Sequence, residues 1–349
     1  MNIRELPQSA VDHLVEYNEH EAVYELYDKA SLPLGFIAVH RKNVDVPSMG
    51  ATRLWYYTNP TDALRDALRL SNLMTYKAAA AELPYGGAKG VLMMPAQGAI
   101  DRRQFFTNYA TCVNELQGMF VTGTDVGLTA DDLAVLVEYS PYMIGYGVDA
   151  AYYTSIGVLH GIQAALQYLD HTDELFYKRF ALQGVGKTGL KLLQLLVEWG
   201  AREIIISDIN DAAIEQARAI APFARVVDPQ LIHTQLVDVF CPCALGGILN
   251  TTTIPELRCR AVVGSANNQL ICEEDALALF ARGIVYIPDY IANAGGLLSV
   301  VSQYENKYHD VEQVVARLNR LQRRIEEIIT QSSIHQIPTT MIAQNFVYA

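Results

Sequence analysis

Two lysines lie in surroundings where a charged side chain is unusual. Lys77 stands at the end of an otherwise apolar helical segment, and Lys89 follows the glycine pair Gly86 and Gly87. Because unpaired charge is costly to bury, desolvation and repulsion between two neighbouring lysines would both lower the pKa of one of them. One lysine could then bind a substrate carboxylate as a cation, while the other acts as a neutral general base. A phosphate-binding glycine loop is the alternative, which the missing GxxxxGK[ST] pattern disfavours.

A third candidate group is the carboxylate of Asp125, which lies between small residues in the segment 121–127. A helix is predicted to begin at about Thr129, and Thr129 and Asp131 are better placed than Asp125 to cap it. Asp125 is therefore available for chemistry, and relaying protons or binding an ammonium group would suit such a carboxylate.

A glycine motif in the second half of the chain predicts a dinucleotide site. The segment 184–189 matches GxGxxG, follows a predicted strand and opens a leucine-rich segment. Glycines permit a tight turn and close approach of the backbone, and the N–H groups of the helix start can bind a pyrophosphate. Asp208 ends the next predicted strand, where a carboxylate can accept hydrogen bonds from ribose hydroxyls and repel a 2′-phosphate. NAD is therefore favoured over NADP, although Lys187 could weaken that discrimination and Asp208 could instead cap a helix.

The pattern of predicted helices and strands around these groups changes along the chain. The first part mixes a predicted strand at 34–40 with a helix that begins at Pro60 after an N-cap candidate. Helices are also predicted at about 150–170 and, as a charged amphipathic segment, at 310–331. From about residue 178, short apolar strands alternate with helix-length segments, which predicts βαβ units and a doubly wound, mostly parallel sheet. These strands are predicted at 180–183, 203–207, 224–227, 237–240, 261–264 and 284–288.

The length of 349 residues predicts two domains. We expect an α/β substrate-binding and catalytic domain over 1–150 and a Rossmann-type dinucleotide-binding domain over 151–300. The active site is expected in a cleft between them. The C-terminal segment from about 300 to 349, with its helix, is expected to return to the first domain.

Composition excludes several classes of function. The chain has 26 basic and 38 acidic side chains, a net charge of −12, and no run dense in lysine or arginine. Nucleic acid and membrane partners are therefore disfavoured, whereas a local pocket for a small anion remains compatible with this charge. The five cysteines form no CxxC pair and the histidines no HExxH motif, so neither a disulfide framework nor a metal site is expected. With no secretory signal recognisable at the N-terminus, we expect a cytoplasmic protein with reduced thiols.

Taken together, the motifs resemble the Glu/Leu/Phe/Val amino-acid dehydrogenase family, in family order and over roughly residues 30–330. In the pocket motifs the chain is most similar to phenylalanine and tryptophan dehydrogenases. The segments that carry the resemblance are 49–53, 74–77, 84–89, 122–127, 184–189, 242–246, 264–269 and 288–296.

This resemblance implies a role for each matching residue. Lys77 would bind the substrate α-carboxylate, helped by the backbone N–H of Gly50. Lys89 would be the catalytic base that activates water, and Asp125 would relay protons and hold the amino group. The implied walls of the side-chain pocket are Met49, Ala78, Leu83, Gly123, Leu297, Leu298 and Val301, with Asn268 where substrate and nicotinamide meet. The implied cofactor-binding residues are Gly184, Val185, Gly186, Lys187, Thr188, Gly189, Asp208, Thr154, Ala244, Asn268 and Asn293.

The reaction implied is the reversible, NAD-dependent oxidative deamination of an L-amino acid to a 2-oxo acid, ammonia and NADH. The implied pocket is apolar, so an acidic side chain would find no partner there and an aromatic substrate is favoured. A branched-chain (leucine or valine) amino-acid dehydrogenase is one alternative, and a catalytically weak binding or regulatory protein on the same fold is another. A 2-hydroxy-acid dehydrogenase is disfavoured, because no histidine has the expected catalytic setting.

Three regions depart from the family pattern: the N-terminal residues to about 30, the loop 41–47 and the C-terminal residues 345–349. Because the two chain ends commonly influence packing between subunits, we expect a homo-oligomer whose size the sequence leaves open. The loop 41–47 lies beside the expected carboxylate site and could alter substrate entry.

Overall fold

A computed structural model describes residues 1–41, 46–94 and 101–346. Within it the chain forms two compact units. The first unit comprises Met1–Val148 and Gln303–His309, and the second comprises Asp149–Ser302 and the described residues from Asp310 onward. Part of the divergent loop (42–45) and the end of the divergent C-terminus (347–349) lie outside the described residues. No helix in the described ranges is both long and apolar enough to cross a membrane.

The first unit is built on one mixed sheet. Its strands and helices are β1 (Asn2–Glu5), β2 (Ala22–Tyr27), β3 (Pro33–Val39), β4 (Ser48–Trp55), α1 (Pro60–Ala80), β5 (Gly86–Met93), α2 (Arg102–Glu115), β6 (Phe120–Thr124) and α3 (Ala130–Tyr139). The sheet order is β1-β2-β3-β5-β4-β6. Strands β1, β2, β3 and β5 pair antiparallel, whereas β4 lies parallel to both β5 and β6. Of the predicted catalytic residues, Lys89 lies on β5 and Asp125 directly follows β6, so both belong to this parallel part of the sheet.

Helix α1 begins where the sequence predicted. The Asn59 side chain accepts a hydrogen bond from the Asp62 N–H at 2.9 Å, and Pro60 takes the first helical position, where its missing N–H costs nothing. The buried side of α1 packs with one face of the sheet in a core that includes Ala67, Leu68 and Val91. A second core, with residues of α2, covers the other face. The sheet is thus buried on both faces, which fixes its register.

The second unit contains a wholly parallel sheet flanked by helices. Its elements are α4 (Ala150–Asp170), β7 (Arg179–Gln183), α5 (Lys187–Glu198), β8 (Glu203–Ser207), α6 (Asp211–Ile220), β9 (Arg225–Val226), β10 (Val239–Pro242), β11 (Ala261–Val262), α7 (Glu273–Ala281), β12 (Val285–Tyr286), α8 (Asp289–Ala292), α9 (Gly295–Asn306), α10 (Val311–His335) and α11 (Thr339–Asn345). The last residues of α9 belong to the first unit.

The sheet order in the second unit is β12-β11-β10-β7-β8-β9. The chain proceeds outward from β7 through β8 and β9, and then returns to β10 on the other side. This arrangement is the doubly wound topology, whose switch point at β7 and β10 is where such sheets bind ligands. The predicted class is confirmed: an α/β protein with two domains, of which the second is Rossmann-type.

The C-terminal segment corrects the predicted domain organisation. The sequence suggested that residues from about 300 to 349 return to the first domain, but only Gln303–His309 do so. Helix α10 instead packs along α4 in the second unit, where the His160 ring lies 3.2 Å from the Leu318 carbonyl oxygen. The physical reason is the apolar stripe of α10, which is buried at Leu318, Leu321 and Ile325 within the second unit.

Candidate active site

Three parallel strands of the first unit place the predicted catalytic and substrate residues in register. Ala51 on β4 is the Cα partner of both Lys89 on β5 and Gly123 on β6. Because side chains in one register row point to the same face of a sheet, the Lys89 side chain projects from the face that carries Gly123. Asp125 follows β6, and its backbone N–H donates to the Thr52 carbonyl oxygen on β4 at 2.9 Å.

Lys89 and Asp125 form a buried ion pair. The Lys89 Nζ lies 2.6 Å from the Asp125 Oδ2, and the Lys89 side chain is only 6% exposed. Burial lowers the pKa of Lys89, and the Arg53 guanidinium lowers it further, although Asp125 acts in the opposite direction. Burial alone would raise the pKa of Asp125, but Lys89 and Arg53 outweigh burial and hold that pKa well below its usual range. The pair therefore joins a permanent carboxylate to a lysine that loses its proton more readily than usual.

Arg53 and Asp66 extend this pair into a chain of charges that sequence reasoning missed. Arg53, on β4, donates from Nε to the Asp125 Oδ2 at 3.1 Å and from Nη1 to the Asp66 Oδ2 at 3.0 Å. Asp66, on α1, also accepts from the Tyr57 hydroxyl at 2.7 Å and from Arg69 at 2.7 Å. Arg53 belongs to the segment 49–53 of the family resemblance, which is the only signal that could have drawn attention to it.

The glycine pair before Lys89 serves packing. Gly86 and Gly87 are the first residues of β5 and are buried. A Cβ on Gly87 would collide with the Thr75 backbone of α1, and one on Gly86 with the Arg41 carbonyl group. The phosphate-loop alternative is therefore wrong for this segment, because the space beside the glycines is filled by the protein's own backbone.

The predicted substrate residues of the first unit lie on β4, β6 and at the end of α1. Lys77 is half-buried in the last turn of α1, whereas Ala78 is fully buried. The Leu83 N–H donates to the Ala78 carbonyl oxygen at 2.9 Å, which brings these two pocket candidates together. Met49 is fully buried on β4. Gly50, next to it, cannot carry a side chain, because a Cβ would collide with the Ala88 carbonyl oxygen on β5.

The capping prediction near Asp125 is partly corrected. Thr129 is the N-cap of α3, and its side chain accepts from the Asp132 N–H at 3.2 Å. The carboxylate that completes this capping box is that of Asp132, 2.7 Å from the Thr129 N–H, rather than that of Asp131. Asp125 takes no part in this capping box, as predicted.

The glycine loop of the second unit joins β7 to α5 at the switch point of the sheet. Gly184 has φ +90°, and a Cβ there would lie 2.8 Å from the Cβ of Ala244. A Cβ on Gly189 would collide with the Gly184 carbonyl oxygen, so the helix start packs tightly against the loop. Gly186 differs: an added Cβ would meet no atom within 4 Å. It is the N-cap of α5 and provides no side-chain cap, so no capping side chain accepts from the first N–H groups of this helix.

Around this loop, Lys187 is exposed, Thr188 is half-buried, and Val185 is fully buried. Asp208 follows β8 and its carboxylate accepts hydrogen bonds from the N–H groups of Val185 at 2.8 Å and Asn210 at 2.9 Å. The alternative that Asp208 caps a helix is wrong, because the N-cap of α6 is Asn210, whose side chain accepts from the Ala212 N–H at 3.0 Å. The two hydrogen bonds that Asp208 accepts instead orient its half-buried carboxylate beside the glycine loop.

The remaining predicted residues of the second unit lie at three places. Asn293 is buried and its amide donates to the Ser265 carbonyl oxygen at 3.2 Å and to Asn267 at 2.8 Å, next to Asn268. Asn268 adopts φ +54°, a left-handed conformation that asparagine tolerates better than most residues. Thr154 lies on α4 and donates to the Ala150 carbonyl oxygen at 2.9 Å. The predicted pocket residues Leu297, Leu298 and Val301 are all buried on α9.

Two family models match the chain. One, described as "Glu/Leu/Phe/Val dehydrogenase, dimerisation domain", covers residues 23–142, and the other, "Glutamate/Leucine/Phenylalanine/Valine dehydrogenase", covers residues 212–349. The first contains Lys77, Lys89 and Asp125, whereas the glycine loop lies between the two matches.

Individual relatives extend over nearly the whole chain. The phenylalanine dehydrogenase of Bacillus thermotolerans is 37% identical and aligns with 94% of this chain and 87% of its own. The L-tryptophan dehydrogenase of Nostoc punctiforme is 40% identical over 81% of this chain and 80% of its own. The leucine dehydrogenase of Geobacillus stearothermophilus is 35% identical, with coverages of 94% and 90%.

Among solved structures, the L-tryptophan dehydrogenase of Nostoc punctiforme superimposes with a TM-score of 0.79 at 35% identity, covering 95% of both chains. The resemblance inferred from the motifs is confirmed by these matches. Oxidoreductases of this kind oxidise the CH–NH2 group of an amino acid with a nicotinamide dinucleotide. The chain belongs to the Glu/Leu/Phe/Val dehydrogenase family.

Proposed function

We propose that this protein catalyses the reversible, NAD-dependent oxidative deamination of an apolar L-amino acid, with a preference for aromatic side chains. The observation that carries the proposal is the buried Lys89–Asp125 pair, at 2.6 Å, on the parallel strands of a family member. A lysine with a lowered pKa beside a permanent carboxylate is suited to general base catalysis near neutral or alkaline pH.

The glycine loop fits a dinucleotide. Two of its glycines are required by the protein's own packing, whereas Gly186 opens onto empty space at the start of α5. That space, next to uncapped helix N–H groups, suits the pyrophosphate, and Asp208 suits the adenosine ribose hydroxyls. The carboxylate would also repel a 2′-phosphate, which supports NAD over NADP. When bound, the nicotinamide ring would accept the hydride from the substrate Cα.

Lys77 and Gly50 are proposed to orient the substrate. The Lys77 ammonium, in the last turn of α1, would bind the α-carboxylate, and the Gly50 N–H would assist it. A fixed carboxylate leaves the Cα with one productive orientation, and orientation of this kind can supply a large part of a rate enhancement.

Lys89 and Asp125 are proposed to handle the protons. Loss of hydride from Cα leaves the substrate as an iminium, which water must attack. In its neutral form the Lys89 amine takes the proton from that water, and the resulting carbinolamine collapses to the 2-oxo acid and ammonia. Asp125 holds the amino group and relays protons across the short contact with Lys89, being protonated only transiently during each transfer.

The substrate side chain is proposed to lie among apolar residues. Met49, Ala78 and Leu83 are buried and offer no partner for a carboxylate, which argues against glutamate. Gly123 carries no side chain and leaves room, although an added Cβ would already lie 3.3 Å from the Ile144 carbonyl oxygen. Relatives named phenylalanine and tryptophan dehydrogenases support an aromatic preference, and relatives named leucine dehydrogenase make branched-chain substrates the second candidate.

A panel of L-amino acids tests this proposal. Purified protein is incubated with NAD at alkaline pH, and NADH formation is measured for phenylalanine, tryptophan, leucine, valine and glutamate. We expect kcat/KM to be highest for an aromatic substrate and lowest for glutamate, with NADP a poorer acceptor. Highest activity with leucine or valine would favour the second candidate, and no turnover of any amino acid despite NAD binding would overturn both.

We also propose that the protein is a homo-oligomer. The matched model for residues 23–142 is described as a dimerisation domain, which supports self-association of this unit. Light scattering on the purified protein would give its mass, and a monomeric mass at assay concentration would contradict this proposal.

A further inference from the structure

We propose that Arg53 is a positioning residue for the amino-acid dehydrogenase reaction, one that keeps Asp125 ionised and in place after Lys89 has given up its proton. This inference rests on the proposed function, because it takes Lys89 to be the general base. Arg53 is not proposed to contact the substrate or the attacking water. It hydrogen-bonds the same Asp125 oxygen as Lys89, the residue proposed to take the proton.

The geometry ties Arg53 to the same oxygen as Lys89. The Asp125 Oδ2 lies 2.6 Å from the Lys89 Nζ and 3.1 Å from the Arg53 Nε. Arg53 is anchored at its other end by Asp66, at 3.0 Å, and Asp66 is in turn held by Tyr57 and Arg69. Two carboxylates from different elements therefore fix the guanidinium, and neither can move without breaking a charged hydrogen bond.

The charges explain why a second cation is needed. If Lys89 were the only partner of Asp125, removing the lysine proton would leave a buried carboxylate without a cation, which is costly. The two groups would then titrate as one unit, and the lysine would hold its proton more tightly. Arg53 is protonated at every pH of interest, so it stabilises the Asp125 carboxylate whether or not Lys89 is charged.

The charged groups that act on Lys89 come from three elements. Asp125, after β6, and Asp66, on α1, favour the ammonium form of Lys89, whereas Arg53, on β4, opposes it. The neighbouring strand β3 places the uncharged Ala38 opposite Lys89. Removing Arg53 and removing the charge of Asp66 should therefore shift the pKa of Lys89 in opposite directions.

The first test is the pH profile of kcat/KM for deamination in Arg53→Gln, Arg53→Lys and Asp66→Asn. In Arg53→Gln the midpoint of the acid limb should move up by about one pH unit. At pH values below this midpoint kcat/KM should therefore be about tenfold lower than in the wild type, and it should recover at alkaline pH. Arg53→Lys keeps the positive charge and should restore most of the profile. Asp66→Asn should move the limb to lower pH, with a smaller kcat at every pH because Arg53 has lost its anchor.

Arg4→Gln is the matched control, because Arg4 forms an ion pair with the buried Glu25 in the same unit. It should reproduce any general loss of stability, seen as a lower melting temperature, without a change in the pH profile. The inference would be overturned if Arg53→Gln lowered kcat/KM equally at all pH values and left the midpoint of the acid limb where it is in the wild type. Arg53 would then have a purely structural role.

The second test does not depend on turnover. The Lys89 side chain is titrated by NMR in protein labelled at lysine, with Lys89→Met used to assign its resonance. Arg53→Gln should raise the midpoint of this titration by about one pH unit and Arg53→Lys should not. An unchanged midpoint would refute the role of Arg53. If the midpoint shifts but the protein oxidises no amino acid, the proposed function fails and the effect of Arg53 on Lys89 stands.

Discussion

The candidate sites of the two units consist of different kinds of chemical group. In the first unit, charged side chains from separate elements meet: Lys89 and Asp125 lie 36 residues apart in the chain, and Arg53 joins them from a third strand. In the second unit, the site is mostly backbone. One six-residue loop supplies its shape through missing side chains, and Asp208 supplies one carboxylate.

This difference determines how each site can be damaged. A site of side chains loses its chemistry when atoms are removed, because the proton-carrying group is gone while the scaffold remains. A site of backbone loses its function when atoms are added, because its shape depends on close approach and on open space. The first two predictions below each apply one of these two kinds of change.

The largest effect is expected from removing the Lys89 amine. Lys89→Met, whose straight apolar chain fills the same buried space, should lower kcat by roughly a thousandfold, which is within the range for a lost general base. The loss should persist at alkaline pH, because no neutral amine is available at any pH. Steady-state kinetics from pH 7 to pH 10 would measure it.

The control for this variant is cofactor binding, which should be unchanged because the glycine loop belongs to the second unit. NADH fluorescence titration would give the dissociation constant. Undiminished kcat in Lys89→Met would contradict the assignment of the base, and a lost NADH affinity would show that the two units are not independent in this respect.

The second prediction adds one methyl group to the loop at two places. Gly186→Ala meets no atom of the protein, so its unfolding should be unchanged. If the open space holds the pyrophosphate, this variant should weaken NAD binding roughly tenfold, about 1.4 kcal/mol. Gly189→Ala would collide with the Gly184 carbonyl group and should lower the free energy of unfolding by about 1–3 kcal/mol.

Thermal unfolding without cofactor and NAD titration separate these two variants. The expected pattern is reduced affinity with normal stability for Gly186→Ala, and reduced stability for Gly189→Ala. Normal NAD affinity in Gly186→Ala would place the pyrophosphate elsewhere and would remove the main support for the cofactor site.

The same difference explains what the sequence could predict. The loop at 184–189 and the strand pattern around it are contiguous, so spacing alone located them, and all six predicted strands of that unit overlap observed strands by two residues or more. The two residues Thr129 and Asn59 that cap helices were also found, because a cap acts on N–H groups two or three positions away.

Contacts between distant elements could not be predicted in this way. Nothing in the sequence indicates that Arg53 reaches both Asp125 and Asp66, because that depends on β4 lying next to α1 and to the end of β6. Likewise, the amphipathic pattern of α10 predicted a buried stripe, but the identity of its packing partner, α4, depends on tertiary structure. The pattern of one segment specifies which face is buried and not which surface buries it.

The third prediction alters the one charge of the second site. Asp208→Asn keeps the size of the side chain but replaces one acceptor oxygen by an NH2 group, which only donates. One of the two bonds that Val185 and Asn210 donate to the separate carboxylate oxygens is therefore lost. We expect the preference of kcat/KM for NAD over NADP to fall by about tenfold, since the repulsion of a 2′-phosphate is lost as well. An NAD-over-NADP preference equal to that of the wild type would indicate that Asp208 serves only to accept hydrogen bonds from the backbone N–H groups of Val185 and Asn210.

The last prediction concerns the pH dependence of stability and lies outside both candidate sites. His20 and His40 of the first unit are buried, with ring centroids 4.9 Å apart, and burial lowers the pKa of His20 to about 4 and that of His40 to about 3. Because the unfolded chain binds these protons near pH 6.5, stability is complete above that pH. It falls as pH decreases toward 4, by up to about 1.4 kcal/mol per pH unit for each histidine. In His20→Gln/His40→Gln this slope should be shallower, although burial also lowers the pKa of His160 in the second unit, so part of the slope should remain.

Urea unfolding at pH 7, 6, 5 and 4 would measure the two slopes, with fluorescence and circular dichroism followed together to separate the units. Equal slopes in the double variant and the wild type would show that these two histidines do not set the acid sensitivity of the first unit.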